Sequence, residues 1–171
     1  MDLLIESARR LAGRDDVVFV INGGGSGLDE LRRRAEGLPN VRFVGYQATE
    51  RLPEVLRAAD LHVVPLRAGL GSSSVPSKLY SILAAGRPVL ASVDAGTEVA
   101  RVLETAGAGV SVPPDDQTAF DRALDELLAA PERLVAQGDA GRAFVEQWLT
   151  PSAAAEAYLE LFDRLRDAVP G

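Results

Sequence analysis

Cysteine is absent from this 171-residue chain, which rules out disulfides, thiolate metal sites and a cysteine nucleophile. A reducing compartment is therefore permitted. Histidine occurs once, at His62, inside the apolar run Leu61 to Val64. That setting suits a partly buried core residue, and it leaves a hydrolase with a histidine base no other candidate. No apolar stretch approaches the roughly 20 residues of a membrane span, and the amino end MDLLIESARR lacks a basic leader followed by an apolar core. The expected location is the cytoplasm, with peripheral membrane association open to a longer form. Positive charge is also scarce: a formal net charge of -7 offers no basic face to nucleic acid. Lysine occurs once, at Lys78, and arginine supplies every other basic side chain.

What is present is ordinary globular material, 47% apolar and 25% charged, in a length that suits one domain spanning residues 1–171. The period of the apolar residues alternates. Asp2 to Ala12 carries a helical stripe that stops at Gly13, and Val17 to Ile21 is a run of five apolar residues expected to form a strand buried on both faces. A helix over Leu28 to Ala35, a strand over Val41 to Val44, and a helix over Glu50 to Ala59 capped by Thr49 follow. Strands are predicted again at Leu61 to Val64, Val89 to Ala91 and Ala108 to Val112, with helices between them. From Gln117 onward only helical patterns remain, with Trp148 and Tyr158 expected to pin them to the sheet. Five strands alternating with helices predict an α/β fold: a doubly wound, Rossmann-like parallel sheet followed by a helical tail.

The chemistry is sought at the carboxyl ends of the strands, where open α/β sheets hold their ligands. Gly23-Gly24-Gly25-Ser26-Gly27 follows the first strand, but the third position of a dinucleotide fingerprint falls on Leu28, and no acidic residue closes the next strand. The fingerprint fails; Gly24 and Gly25 still admit either a closely approaching ligand or a plain tight turn. The loop after Val64 is longer than a connector needs. It ends at Lys78, next to a predicted helix start. A compact ammonium beside free helix N–H groups suits phosphate, and a solvated surface lysine is the alternative. Arg67 reads as a rim charge. Glu98, after Ala95-Gly96-Thr97, suits either a sugar hydroxyl or a favourable first-turn charge.

Taken in order, DLLIESARRL, VVFVINGGG, LPNVRFVGYQATERLPEVLRAADLHVVPL, VPSKLYSILAAGRPVLAS and FVEQWLTPSAAAEAYLELF cover essentially the whole chain. Together they resemble the carboxyl-terminal, nucleotide-sugar-binding domain of retaining glycosyltransferases with the GT-B fold, in group 1 or family 4. The PSKLYSILAAGRPVL variant is most similar to the bacterial branch that builds surface polysaccharides. The resemblance implies that Val44, Gly45 and Tyr46 border the nucleotide base. It also implies that Ser73, Ser74, Val75, Ser77, Lys78 and Leu79 lie against the diphosphate and donor sugar. The family's pair of glutamates falls here on Ser73 and Ser81, whose hydroxyls can bond a sugar without the charge assistance of a carboxylate. The family also has a strand before the first helix and a separate amino-terminal acceptor domain; neither is in this sequence, which reads as a fragment or one half of a split enzyme.

The function so implied is transfer of a sugar from a nucleoside diphosphate sugar, UDP favoured over GDP, to a hydroxyl acceptor, with no metal or other cofactor. The partners implied are the donor and a missing amino-terminal domain or partner chain; a homodimer is open and nucleic acid is not expected. A UDP-sugar epimerase of the same architecture would need carboxylates and histidine for proton chemistry, and this chain has no loop histidine and lacks the paired glutamates. A non-catalytic domain that pairs strands through an open sheet edge is the third reading.

Overall fold

The computed structural model describes residues 1–69 and 78–168. Among the described residues there are five parallel strands: β1 (Phe19–Asn22), β2 (Val41–Val44), β3 (His62–Pro65), β4 (Val89–Ser92) and β5 (Gly109–Val112). The helices are α1 (Asp2–Arg10), α2 (Leu28–Arg34), α3 (Leu52–Arg57), α4 (Lys78–Ala84), α5 (Glu98–Ala106), α6 (Gln117–Leu128), α7 (Pro131–Trp148) and α8 (Pro151–Ala168). The α/β class and helical tail are as expected, but the strands form two sheets. β1 pairs with β2, Phe19 opposite Val41, and β3, β4 and β5 pair in that order, with His62 opposite Val89 and Val89 opposite Gly109.

Local sequence explains the elements. In α5, Val99, Val102 and Leu103 lie at i, i+3 and i+4 and are buried, Thr97 caps the start by accepting the Ala100 N–H, and Gly107 closes the end at φ 61°. In α6, Phe120, Ala123, Leu124 and Leu127 repeat that spacing, and the Asp116 carboxylate accepts the Ala119 N–H at 2.9 Å. Thr49, by contrast, is not a cap: it begins a 3-10 turn, Thr49–Arg51, that runs into α3 without a side-chain cap.

Two cores lie on opposite faces. β4, buried at every position, serves both: Leu90 points into the core with α1 and α6, and Val89 and Ala91 point into the core with α4 and α5. α1 and α6 are also stitched by a polar network. Ser7, fully buried, donates to the Asp121 carboxylate at 2.5 Å, while Gln117 Nε2 donates to Ser7 Oγ at 3.1 Å and to the Leu3 carbonyl at 3.2 Å. Because each member has a partner, the group can be buried without an orphan. α7 reaches α4 closely because it presents glycine: a Cβ on Gly138 would collide with the Gly86 carbonyl oxygen.

Two expectations need correction. The run Val17 to Ile21 is not buried on both faces: Val17, Phe19 and Ile21 are buried, but Val18 and Val20 are 55% and 57% exposed. Only the α1 side of β1 is covered, so the valines on the other side face solvent. Nor do Trp148 and Tyr158 pin the tail, since both are 61% exposed. Tyr158, Leu161, Phe162 and Leu165 do form a helical stripe on α8, all of it exposed, because no described element lies opposite. Helical spacing reports that a face is apolar, not what covers it.

Candidate functional site

The carboxyl ends of both sheets point the same way. Met1 and Asp2 line a cavity of about 270 Å³ together with Pro65, Leu66, Arg67, Asp115 and Gln117, so α1 starts at the carboxyl end of β3. α1 then runs away from that edge and hands over to β1, which therefore rises back toward it. The described starts of the loops after β3, β4 and β5 meet one another, as do those after β1 and β2.

At the β1 and β2 end, the glycine turn and the Tyr46 corner form one unit. The Gly23 N–H donates to the Val44 carbonyl at 2.9 Å, and Asn22 Nδ2 donates to the Gly45 carbonyl at 3.1 Å. The Tyr46 ring lies on Gly24, where an added Cβ would sit 3.0 Å from the ring edge, and the phenol reaches the Gly24 carbonyl at 3.5 Å. Gly25 has φ 141°, a conformation only glycine adopts freely. Tyr46 nonetheless remains exposed, an aromatic face held on backbone and open to a flat ligand.

At the β3, β4 and β5 end, two acids hold the start of the loop that follows β3. The Asp94 carboxylate accepts the Gly69 N–H at 2.8 Å, and the Asp115 carboxylate accepts the Ala68 N–H at 3.4 Å. Asp115 does so at φ 57°, the single positive-φ residue other than glycine among the described residues. α4 opens with Lys78, exposed and without an ion pair to any described residue.

The glycosyl transferases group 1 family matches residues 1–130. The chain is a member of that family. It is 34% identical over 136 residues to the colanic acid biosynthesis glycosyl transferase WcaI of Escherichia coli K12, covering 77% of this chain and 33% of that protein. It is 34% identical over 143 residues to the GDP-mannose-dependent monoacylated alpha-(1-6)-phosphatidylinositol monomannoside mannosyltransferase of Corynebacterium glutamicum, covering 81% of this chain and 37% of that one. Among solved structures, Anabaena HepE in complex with UDP-glucose superposes with a TM-score of 0.74 at 17% identity, over 96% of this chain and 45% of that one. The fold is thus that of GT-B glycosyltransferases. The chain spans about a third of the length of these curated relatives.

In this group 1 glycosyltransferase chain the expected site residues divide as follows. Gly24, Gly25, Val44, Gly45 and Tyr46 come together in the unit above. Lys78 and Ser81 are exposed on α4, whereas the Leu79 side chain is fully buried in the second core and offers a ligand only its backbone. Glu98 opens α5 and pairs with Arg101. It is near enough to Tyr80 that, after burial, its charge helps push that phenol above its ordinary range. Ser73, Ser74, Val75 and Ser77 lie outside the described residues. Asn22, Asp94 and Asp115 were not singled out from the sequence. The available signal was that each is a short polar residue at, or within three positions after, the carboxyl end of a strand.

His62 belongs to the scaffold. Its ring is half-buried and its Nε2 bonds the Leu56 carbonyl at 2.8 Å, which fixes the tautomer that carries the proton there. Desolvation lowers its pKa below the ordinary 6.5, outweighing the opposing effect of that hydrogen bond. The folded protein therefore resists protonation that the unfolded chain accepts, and His62 costs stability as pH falls below 6.5. In urea titrations at about pH 7.5 and 5.5, His62→Gln should lose less stability than the parent; equal losses would show that His62 is not the titrating group.

Proposed function

We propose that the chain is the donor-binding half of a retaining glycosyltransferase that moves a sugar from a nucleoside diphosphate sugar to a hydroxyl acceptor in surface-polysaccharide or glycoconjugate synthesis. Family membership carries this reading, and the docking of Tyr46 on Gly24 at the β1 and β2 end supports it. The nucleotide base stacks on or beside Tyr46 and bonds the backbone of Val44 and Gly45. Lys78 and the N–H groups at the start of α4 take the diphosphate. Glu98 and Ser81 take the sugar hydroxyls. As the glycosidic bond to the leaving phosphate breaks, negative charge grows on the diphosphate, and the Lys78 ammonium stabilises it where it develops. No metal is required in this scheme.

A second domain, on a longer polypeptide or a separate chain, completes the cleft and brings the acceptor. The location proposed is cytoplasmic or at the membrane periphery; among the described residues no helix is long and apolar enough to cross a membrane. The epimerase reading has little support, because the single imidazole is engaged by the Leu56 carbonyl within the scaffold.

Saturation-transfer NMR of the chain with UDP, GDP and their glucose and mannose conjugates tests the proposal and separates the bases. Transfer to base and ribose protons of one nucleotide family, with no sugar turnover by the chain alone, is the expected result. Absence of transfer from all of them would remove donor binding.

A further inference from the structure

We propose that Asp94 and Asp115 are positioning residues for donor binding: each accepts a backbone N–H from the chain as it leaves β3, and together they fix the path of that chain beside the donor. This rests on the donor-binding reading above and deepens it. The β3 ladder ends where the Leu66 N–H donates to the Ser92 carbonyl at 2.9 Å. Leu66 still packs on the second core, but Arg67, Ala68 and Gly69 are exposed, so burial does not hold them. Polar bonds do. The Ala68 N–H donates to the Asp115 carboxylate at 3.4 Å and the Gly69 N–H to the Asp94 carboxylate at 2.8 Å, where Gly69 turns through φ 81°.

Both acids stand on firm ground. The Asp94 carbonyl accepts the Thr97 hydroxyl at 2.9 Å, and Thr97 is the buried cap of α5. Asp115 directly precedes Asp116, the cap of α6. α5 buries its apolar face in the core with α4, and α6 buries its own in the core with α1. The chain leaving β3 is therefore tied to the starts of two helices rooted in different cores. Asp115 holds its bond from φ 57°, a conformation that costs an aspartate more than it would cost glycine. A strained residue kept at a ligand-binding strand end is a mark of function.

Electrostatics separates a positioning acid from a bystander. Near a diphosphate a carboxylate repels, so deleting a bystander would leave binding unchanged or tighten it. Deleting an acid whose charge-assisted bond sets the backbone path has the opposite sign, because the ligand must then order that backbone as it binds. The direction of the change in affinity thus reports the role, and it does so independently of any change in folding stability.

The 171-residue chain and its Asp94→Ala, Asp94→Asn and Asp115→Gly variants test this by titration calorimetry with UDP and GDP, amide exchange of Ala68 and Gly69, and thermal melting. Asp94→Ala should weaken nucleotide binding on the order of tenfold and speed Gly69 exchange by a similar factor. Asp94→Asn keeps an acceptor oxygen and should recover most of the affinity. Asp115→Gly relieves the backbone and should melt no lower than the parent, yet bind roughly threefold more weakly. Unchanged or tighter binding by Asp94→Ala overturns the inference and leaves the donor reading in place, as does unchanged Gly69 exchange. Affinity lost only in step with a large fall in Tm assigns the acids to the scaffold and overturns it too. A parent that binds neither nucleotide removes the donor reading, and this inference with it.

Discussion

Lys78→Ala weakens binding of UDP or GDP, whichever the chain takes, by more than tenfold in titration calorimetry, while its thermal unfolding stays where the parent's is. The size follows from what remains after the ammonium is gone. Helix-end N–H groups contribute only about 0.3–1 kcal/mol to an exposed anion, whereas a tenfold change in affinity corresponds to about 1.4 kcal/mol. A direct ammonium-to-phosphate bond supplies that and more. Stability should not move, because Lys78 is exposed at the first position of α4 and alanine is an excellent helix former. The two readouts together are diagnostic. Lost binding with unchanged melting places the lysine on the ligand, and unchanged affinity would return it to the status of a solvated surface charge.

Phe120→Ala should cost about 3–5 kcal/mol of folding stability, the range for removing a buried aromatic side chain. Phe120 is fully buried on α6, in the core that α1, α6 and both sheets share. The cavity it leaves cannot collapse easily, because β4 lies on one side and the Ser7–Asp121 hydrogen bond holds α1 to α6 on the other. Against a typical total of about 5–15 kcal/mol, such a loss brings the protein near its unfolding threshold. Urea titration should show a lower midpoint at unchanged slope. A loss under about 1 kcal/mol would mean that the two sheets do not depend on this common core.

The order of strands and helices was legible in the chain because its signals are local. Val41 to Val44 falls where the period puts it, and most other boundaries move by one or two residues. Lys78 at a helix start and the glycines after β1 were legible for the same reason. Asp94 and Asp115 were not, since their importance lies in bonds to Gly69 and Ala68, 25 and 47 residues away. The docking of Tyr46 on Gly24 is another contact across the fold, invisible to periodicity.

By itself the sequence determined the alternation of strand and helix, the parallel class that follows from it, and the residue types available for a diphosphate, because these depend on side-chain chemistry and spacing alone. Only the tertiary structure decided that Val18 and Val20 lie open, that the stripe on α8 is uncovered, and that the sheet divides between β1 and β3. The physical reason is that an apolar residue is an equal candidate for any apolar surface. Burial is a property of two surfaces, and a sequence describes one of them at a time.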